Sequence, residues 1–439
     1  MMMKVINKLV CVLALLTTSS ANDNVPAAKQ DHPILLKGAT VHTVSGQVIE
    51  NGIVLFADGK IQNVGGADLK INLEPGTQVI ELEGKHVYPG LIAANTVLGL
   101  TEVRAVRATL DTTEAGKINP NVRAQVAVNP DSELLPVTRT NGVLVAQVVP
   151  LSSGSGAISG MSAVMALDGW TWEDMTVRAE CGIHITWPKM VVIPRSDSKE
   201  VSEKRSKSRD EQIEGLSKAF DDARAYLKAR AAEPKTTNTD LRWEGMRPLL
   251  EGEVPAFIYA NSSAQIRSAL GFAKRHGLNR VVIVGAQDAW RVAGEMKAHG
   301  ASAIISPINE LPLRRWEPVD TAQLNPLRLS EAGVKFCIAN GGGTFGAAHE
   351  RNLPYQAARA ALSNEAAIKS ITLDAAEILG VADRLGSVEA GKDATLIVTD
   401  GDPLDIRTTV ERAFIGGRKI DLSNKQTRLF EKYKQKYGK

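Results

Sequence analysis

Seven histidines and three cysteines are the side chains of this sequence best suited to metal or nucleophilic chemistry, yet they form no cluster along the chain. His276 and His299 fall at the ends of helical stretches, where an imidazole meets terminal carbonyls. His32, His42 and His86 lie in strand-rich sequence and read as structural. His184 differs, because it sits in the strand-like run Gly182-Ile183-His184-Ile185-Thr186-Trp187-Pro188-Lys189, whose end could line a pocket. His349 follows a glycine-rich segment and could approach the same place. Cys181 and Cys337 have neither metal-ligand nor redox-motif spacing and read as buried free thiols rather than a disulfide. Ser152–Gly160 lacks the lysine and spacing of a phosphate loop. Asn340-Gly341-Gly342-Gly343 does not match a dinucleotide fingerprint. Both read as strand-to-helix loops, and Trp170 and Trp172 as core aromatics rather than a stacking platform.

These residues need elements to hold them. The 439 residues suffice for one large domain and a small accessory one. A net charge of +3, from 52 basic and 49 acidic residues, gives no footing for nucleic-acid binding. Lys4 and Lys8, the apolar run Leu9–Leu16 and the small residues up to Ala21 predict a signal peptide over 1–21, cleaved on export to the periplasm or medium. No apolar run is long enough for a membrane span.

From Ile34 to Tyr88 short strands and turns alternate, with a hairpin at Asp58-Gly59. Strands return at Asp393–Val398 and Val410–Leu422, the latter folded over Gly416-Gly417. Between these β-rich ends, strands such as Val254–Ala260, Val281–Val284 and Val334–Ala339 alternate with helical stretches such as Ala264–His276. The pattern predicts a TIM-type (β/α)8 barrel over 89–384. It also predicts a composite β domain from 30–88 plus 385–424, and a tail over 425–439. The charged insertion 195–235 reads as a solvated loop followed by a surface helix.

Tyr88-Pro89-Gly90-Leu91-Ile92, then Ile371–Gly380, then Leu385–Val398 with Asp400-Gly401-Asp402-Pro403, closely resemble the amidohydrolase superfamily, especially its imidazolonepropionase-like and peptidase-like members. The resemblance covers nearly the whole mature chain and is loosest from Arg104 to Lys235. It implies a metal-bearing barrel beside a small β-sandwich built from both chain ends, and metal-assisted hydrolysis of C–N bonds, with ligands at the C-terminal ends of barrel strands.

In that family Pro-Gly-Leu-Ile leads into Asp-x-His-x-His. Here Ala93, Asn95 and Val97 stand at the three ligand positions. By the same alignment Tyr259 replaces a strand-end histidine, and Asn340 replaces the aspartate that binds metal and accepts the proton of water. Val282–Ala286 carries no histidine either. The resemblance therefore places Asn95, Val97, Tyr259 and Asn340 as substituted pocket residues, with His184 and His349 as further pocket candidates. No metal ligand, catalytic residue or cofactor is assigned. Two functions stay open. One is a catalytically degenerate barrel acting as binding module or partner subunit, in a homodimer or in a heterodimer with an active amidohydrolase paralogue. The other is a hydrolase with an atypical site, metal-free or holding a divalent metal such as zinc.

Overall fold

The computed structural model describes residues 25–190 and 199–438. The signal-peptide expectation at 1–21 therefore lies outside the described residues, as do the first residues of the charged insertion.

The N-terminal segment supplies β1 (Ile34–His42), β2 (Val48–Ala57), β3 (Lys60–Gly65), β4 (Gln78–Glu81) and β5 (His86–Pro89). The barrel strands are β6 (Leu91–Thr96), β7 (Val143–Val148), β8 (Ala157–Ala166), β9 (Thr176–Thr186), β10 (Ala256–Ala260), β11 (Val281–Gly285), β12 (Ser302–Ile305) and β13 (Phe336–Ile338). The C-terminal segment adds β14 (Leu396–Thr399), β15 (Val410–Ile415) and β16 (Arg418–Ile420).

A separate sheet domain joins the two ends of the chain in the order β16-β15-β14-β5-β1-β2-β3, with β4 beside β1. The hairpins turn where predicted, at Asp58-Gly59 and Gly416-Gly417, and all four residues have positive φ. The strands belong to one hydrogen-bonded sheet rather than two stacked ones. The reason is β5, which pairs antiparallel with β14 on one side and parallel with β1 on the other. Alternation along β14 divides the work: Leu396 and Val398 enter the domain's own core, while Ile397 joins the barrel core. The Phe56 and Phe414 rings, 5.1 Å apart edge to face, pack the N- and C-terminal segments together.

The second sheet has eight strands in chain order from β6 to β13, a nearly closed barrel in which β6 and β13 share no ladder among the described residues. Helix Leu373–Leu379 lies at that seam, and the Ile92 amide donates to the Ile371 carbonyl at 2.8 Å. From β9 to β13 every pairing is parallel, with helices in the connections.

The first half departs from the predicted (β/α)8 repeat. β8 runs antiparallel to both neighbours. The link from β7 to β8 spans only 149–156, too short for the dozen or more residues that a parallel crossover needs. The stretch read as a strand-to-helix loop is thus a hairpin loop that enters a buried strand. Within the described part of the insertion read as loop plus helix, Lys199–Ala232 is one helix, which buries Leu216, Ala219, Phe220 and Ala223 at helical spacing. The predicted tail forms the helix Lys425–Tyr437.

Candidate functional site

At the C-terminal ends of the parallel strands opens a cavity of about 1160 Å³. Asn95, at the end of β6, is held in the left-handed region with φ 54°, a conformation asparagine tolerates better than most residues. Its amide N–H donates to Gln147 Oε1 on β7 at 3.0 Å. Its side-chain oxygen accepts a 2.7 Å hydrogen bond from the Tyr259 hydroxyl on β10. His184 Nδ1 on β9 lies 3.0 Å from the same hydroxyl, whose proton is already committed to Asn95, so Nδ1 carries the proton and donates.

The chain continues on the other side. Gln147 Nε2 donates to Ser162 Oγ on β8 at 3.1 Å. Five strands are thus tied across the barrel floor by neutral hydrogen bonds, through Ser162, Gln147, Asn95, Tyr259 and His184.

Electrostatics keep this chain uncharged. Burial drives His184 down to about 3, so the imidazole is neutral at any ordinary pH. Burial likewise pushes the Tyr259 phenol up. The His184 ring stacks on Phe257 at 4.7 Å, and its Nε2 is buried without a partner.

Of the residues singled out in the sequence, Asn95, Tyr259, Asn340 and His349 line the cavity. His184 is fully buried behind Tyr259 and reaches the cavity only through that hydroxyl. Val97 does not line it. The left-handed turn at Asn95 and the register shift between Ala93 and Thr96 send Val97 into the apolar core, where it is fully buried. Asn340 Nδ2 donates to the Gly346 carbonyl at 3.3 Å, so it braces the glycine-rich loop. That loop comes close to Asn95: a Cβ at Gly342 would lie 2.9 Å from Asn95 Nδ2. His349 stacks on the exposed Phe345 at 4.6 Å on the cavity wall. Trp170 is exposed at the opposite hairpin, and neither it nor Trp172 lines the cavity. Cys181 and Cys337 are free and buried, and burial pushes the Cys181 thiol to about 11.

Several residues escaped the sequence reading. Gln147 is the one buried amide in the apolar run of β7, and that contrast was its signal. Glu350 is fully buried; burial pushes its carboxyl up to about 8, and Thr96 beside it pulls only weakly the other way. Arg205 and Arg209, from the Lys199–Ala232 helix, also face the cavity. Ser155 Oγ donates to Gln212 at 2.8 Å and ties that helix to the β7–β8 loop.

No group of three or more histidine, cysteine, aspartate or glutamate side chains among the described residues could hold a metal ion. The residues at the family's ligand positions do not fit a divalent cation. Asn95, Tyr259 and Asn340 offer neutral amide and phenol oxygens, Val97 offers no donor atom, and the nearby His184 has its Nδ1 engaged.

The fold, a nearly closed barrel with a separate sheet domain, is consistent with that of amidohydrolases. The model of the amidohydrolase family matches residues 327–424. The chain is similar to the solved structure of an amidohydrolase from Thermotoga maritima, at 25% identity and TM-score 0.75, covering 88% of this chain and 99% of that one. It shares its fold with a prolidase complexed with N-methylphosphonate-L-proline (17% identity, TM-score 0.53, 89% and 99% covered). The same holds for an adenosine deaminase from Xanthomonas campestris with bound zinc (15% identity, TM-score 0.51, 93% and 98% covered). No curated protein sequence matches the chain. The chain thus resembles the amidohydrolase superfamily, in sequence over residues 327–424 and in fold over most of its length.

Proposed function

We propose that this chain is a catalytically degenerate amidohydrolase barrel that acts as a binding module or as the partner subunit of an active paralogue. The observation that carries the reading is the neutral chain Gln147–Asn95–Tyr259–His184, which occupies the floor where the family resemblance places metal ligands. Hydrolysis of a C–N bond needs an activated water and a polarised carbonyl. Asn340 has no useful basicity, and His184 at about 3 is both too weak a base and committed through Nδ1. The cavity is retained without that machinery, and its wall of amides and hydroxyls, among them Asn261, Gln265, Gln287 and Asn352, suits binding. The same reading carries export of the chain after cleavage near Ala21, which an intact mass beginning at Met1 in secreted material would contradict.

The test is metal content and association together. Protein purified without chelator should hold far less than one equivalent of zinc, manganese, nickel or iron. Near-stoichiometric metal that disappears in His184→Ala or His349→Ala would sink the proposal. It would favour instead an active hydrolase with an atypical site, a reading supported by the position of His349 on the cavity wall. Co-purification from the native compartment separates the two binding roles. A chain that elutes alone, and whose deletion leaves every related hydrolase activity unchanged, is no partner subunit.

A further inference from the structure

The Lys425–Tyr437 helix presents a face that no part of the described molecule covers. We propose that this helix lies flat on an anionic lipid surface and brings the barrel to it as a peripheral protein. Phe430, Tyr433 and Tyr437 recur at i, i+3 and i+7, so they share one side, with Leu429 at its edge. Their exposures are 64%, 48%, 66% and 42%, and no residue from Lys425 to Tyr437 is buried. Water-exposed aromatics in a row are costly to keep without a use.

The helix is formed in advance. A free helix of this length is marginal in water, but here a capping box secures its start. The buried Asn424 accepts from the Gln426 and Thr427 amides at 2.8 and 3.1 Å, and Thr427 Oγ1 accepts from the Asn424 amide at 2.9 Å.

Charge decides what covers the face. Lys425, Arg428, Lys432, Lys434 and Lys436 stand against the single acid Glu431. The Lys434 ammonium lies 5.9 Å from the Phe430 ring, Lys432 and Lys436 lie 5.9 and 6.0 Å from Tyr433, and Lys436 lies 5.3 Å from Tyr437. Cations rimming an aromatic strip match a surface that is apolar underneath and negative around it, as a headgroup layer is. Tyrosines suit that layer because the ring is buried while the hydroxyl stays wet. A second copy fits worse. Two such helices would oppose like charges, and four side chains fall well short of the roughly 800 Å² per partner of a stable interface. None of the described helices is long and apolar enough to cross a membrane, so the contact is peripheral.

The experiment is sedimentation of the full chain with phosphatidylcholine vesicles, with and without phosphatidylglycerol. The chain should pellet with the anionic vesicles, remain free with the zwitterionic ones, and be released by high salt. Phe430→Ser combined with Tyr433→Ser and Tyr437→Ser should weaken binding by about tenfold or more while leaving the melting temperature unchanged. Lys432→Glu with Lys434→Glu and Lys436→Glu should abolish the preference for anionic lipid. Equal partition to both vesicle types overturns the proposal, and so does anionic binding that survives the aromatic triple variant. A chain that ignores vesicles but forms a dimer that the aromatic variant dissolves would assign the face to a second copy and overturn it equally.

Discussion

At the floor of the mouth Asn95, Tyr259, Gln147 and His184 meet without a formal charge, whereas beside the rim Asp288 and Glu317 bury two carboxylates against arginines. Arg314 grips Asp288 through both terminal nitrogens, at 2.9 and 2.6 Å, and reaches Glu317 at 2.7 Å, which Arg291 also meets at 2.6 Å. Burial by itself would raise Asp288 and Glu317, but the guanidiniums hold both below their usual values. Buried charge is kept where a fork of donors compensates it. On the floor, Asn95, Tyr259, Gln147 and His184 are instead neutral groups bonded to one another. The difference is one of charge: the floor satisfies its polar groups by neutral hydrogen bonds, and the rim does so by ion pairs.

The comparison breaks most severely at Arg314. Arg314→Ala leaves Asp288 buried with the Ser263 amide at 3.1 Å and, as its one nearby cation, Arg291 at 3.6 Å, and should cost about 3 kcal/mol in urea unfolding. A loss within experimental error would mean that the rim charges are solvated.

Glu350 tests the uncharged interior by pH. Its folded value of about 8 lies above its unfolded value near 4.5, so the folded state holds the extra proton between them. Stability from this group is full below pH 4.5 and is lost as pH rises to about 8. Glu350→Gln should remove that slope, so its melting temperature should pull ahead of the parent between those limits. Parallel profiles would refute the assignment. His184 works in the opposite direction: its folded value of about 3 lies below 6.5, so its contribution is lost as pH falls between the two.

Tyr259→Phe removes the hydroxyl that joins Asn95 to His184 and leaves two buried polar atoms unpaired, a loss of about 2 kcal/mol by chemical denaturation. The smallest effect belongs to the end of the chain. Ser162→Ala leaves Gln147 Nε2 with Cys181 Sγ at 3.7 Å and should cost about 0.5–1 kcal/mol. A larger loss for Ser162 than for Tyr259 would reverse the order in which the floor is built.

The sheet domain was legible because Asp58-Gly59 and Gly416-Gly417 are turns that few other residues can make. The parallel strands from β10 onward were legible because amphipathic helices such as Ser263–Arg275 separate them. β8 was not. Ala157–Ala166 is buried along its whole length, so it carries no two-residue period to reveal a strand or its direction. The placement of Asn95, Tyr259 and Asn340 came through family register. Val97 failed because one left-handed residue changes which side chains face the cavity. That conformation leaves little trace in a sequence where asparagine has other reasons to stand. Gln147 and Glu350 were missed because a lone polar residue announces burial only once its neighbours are known.

The pairing of β5 with β14 joins segments roughly three hundred residues apart, and this sets the order in which the molecule can mature. Until β14 has been synthesised, β5 has an open edge and the sheet that supports the barrel is incomplete. The barrel strands therefore emerge before their support exists, and the nascent chain must be kept from premature association until β14 arrives. A stop codon just before Leu396 would leave a chain with nearly every barrel residue present and a sticky, unfinished sheet. The expected fate of that product is aggregation or proteolysis rather than a shortened working protein.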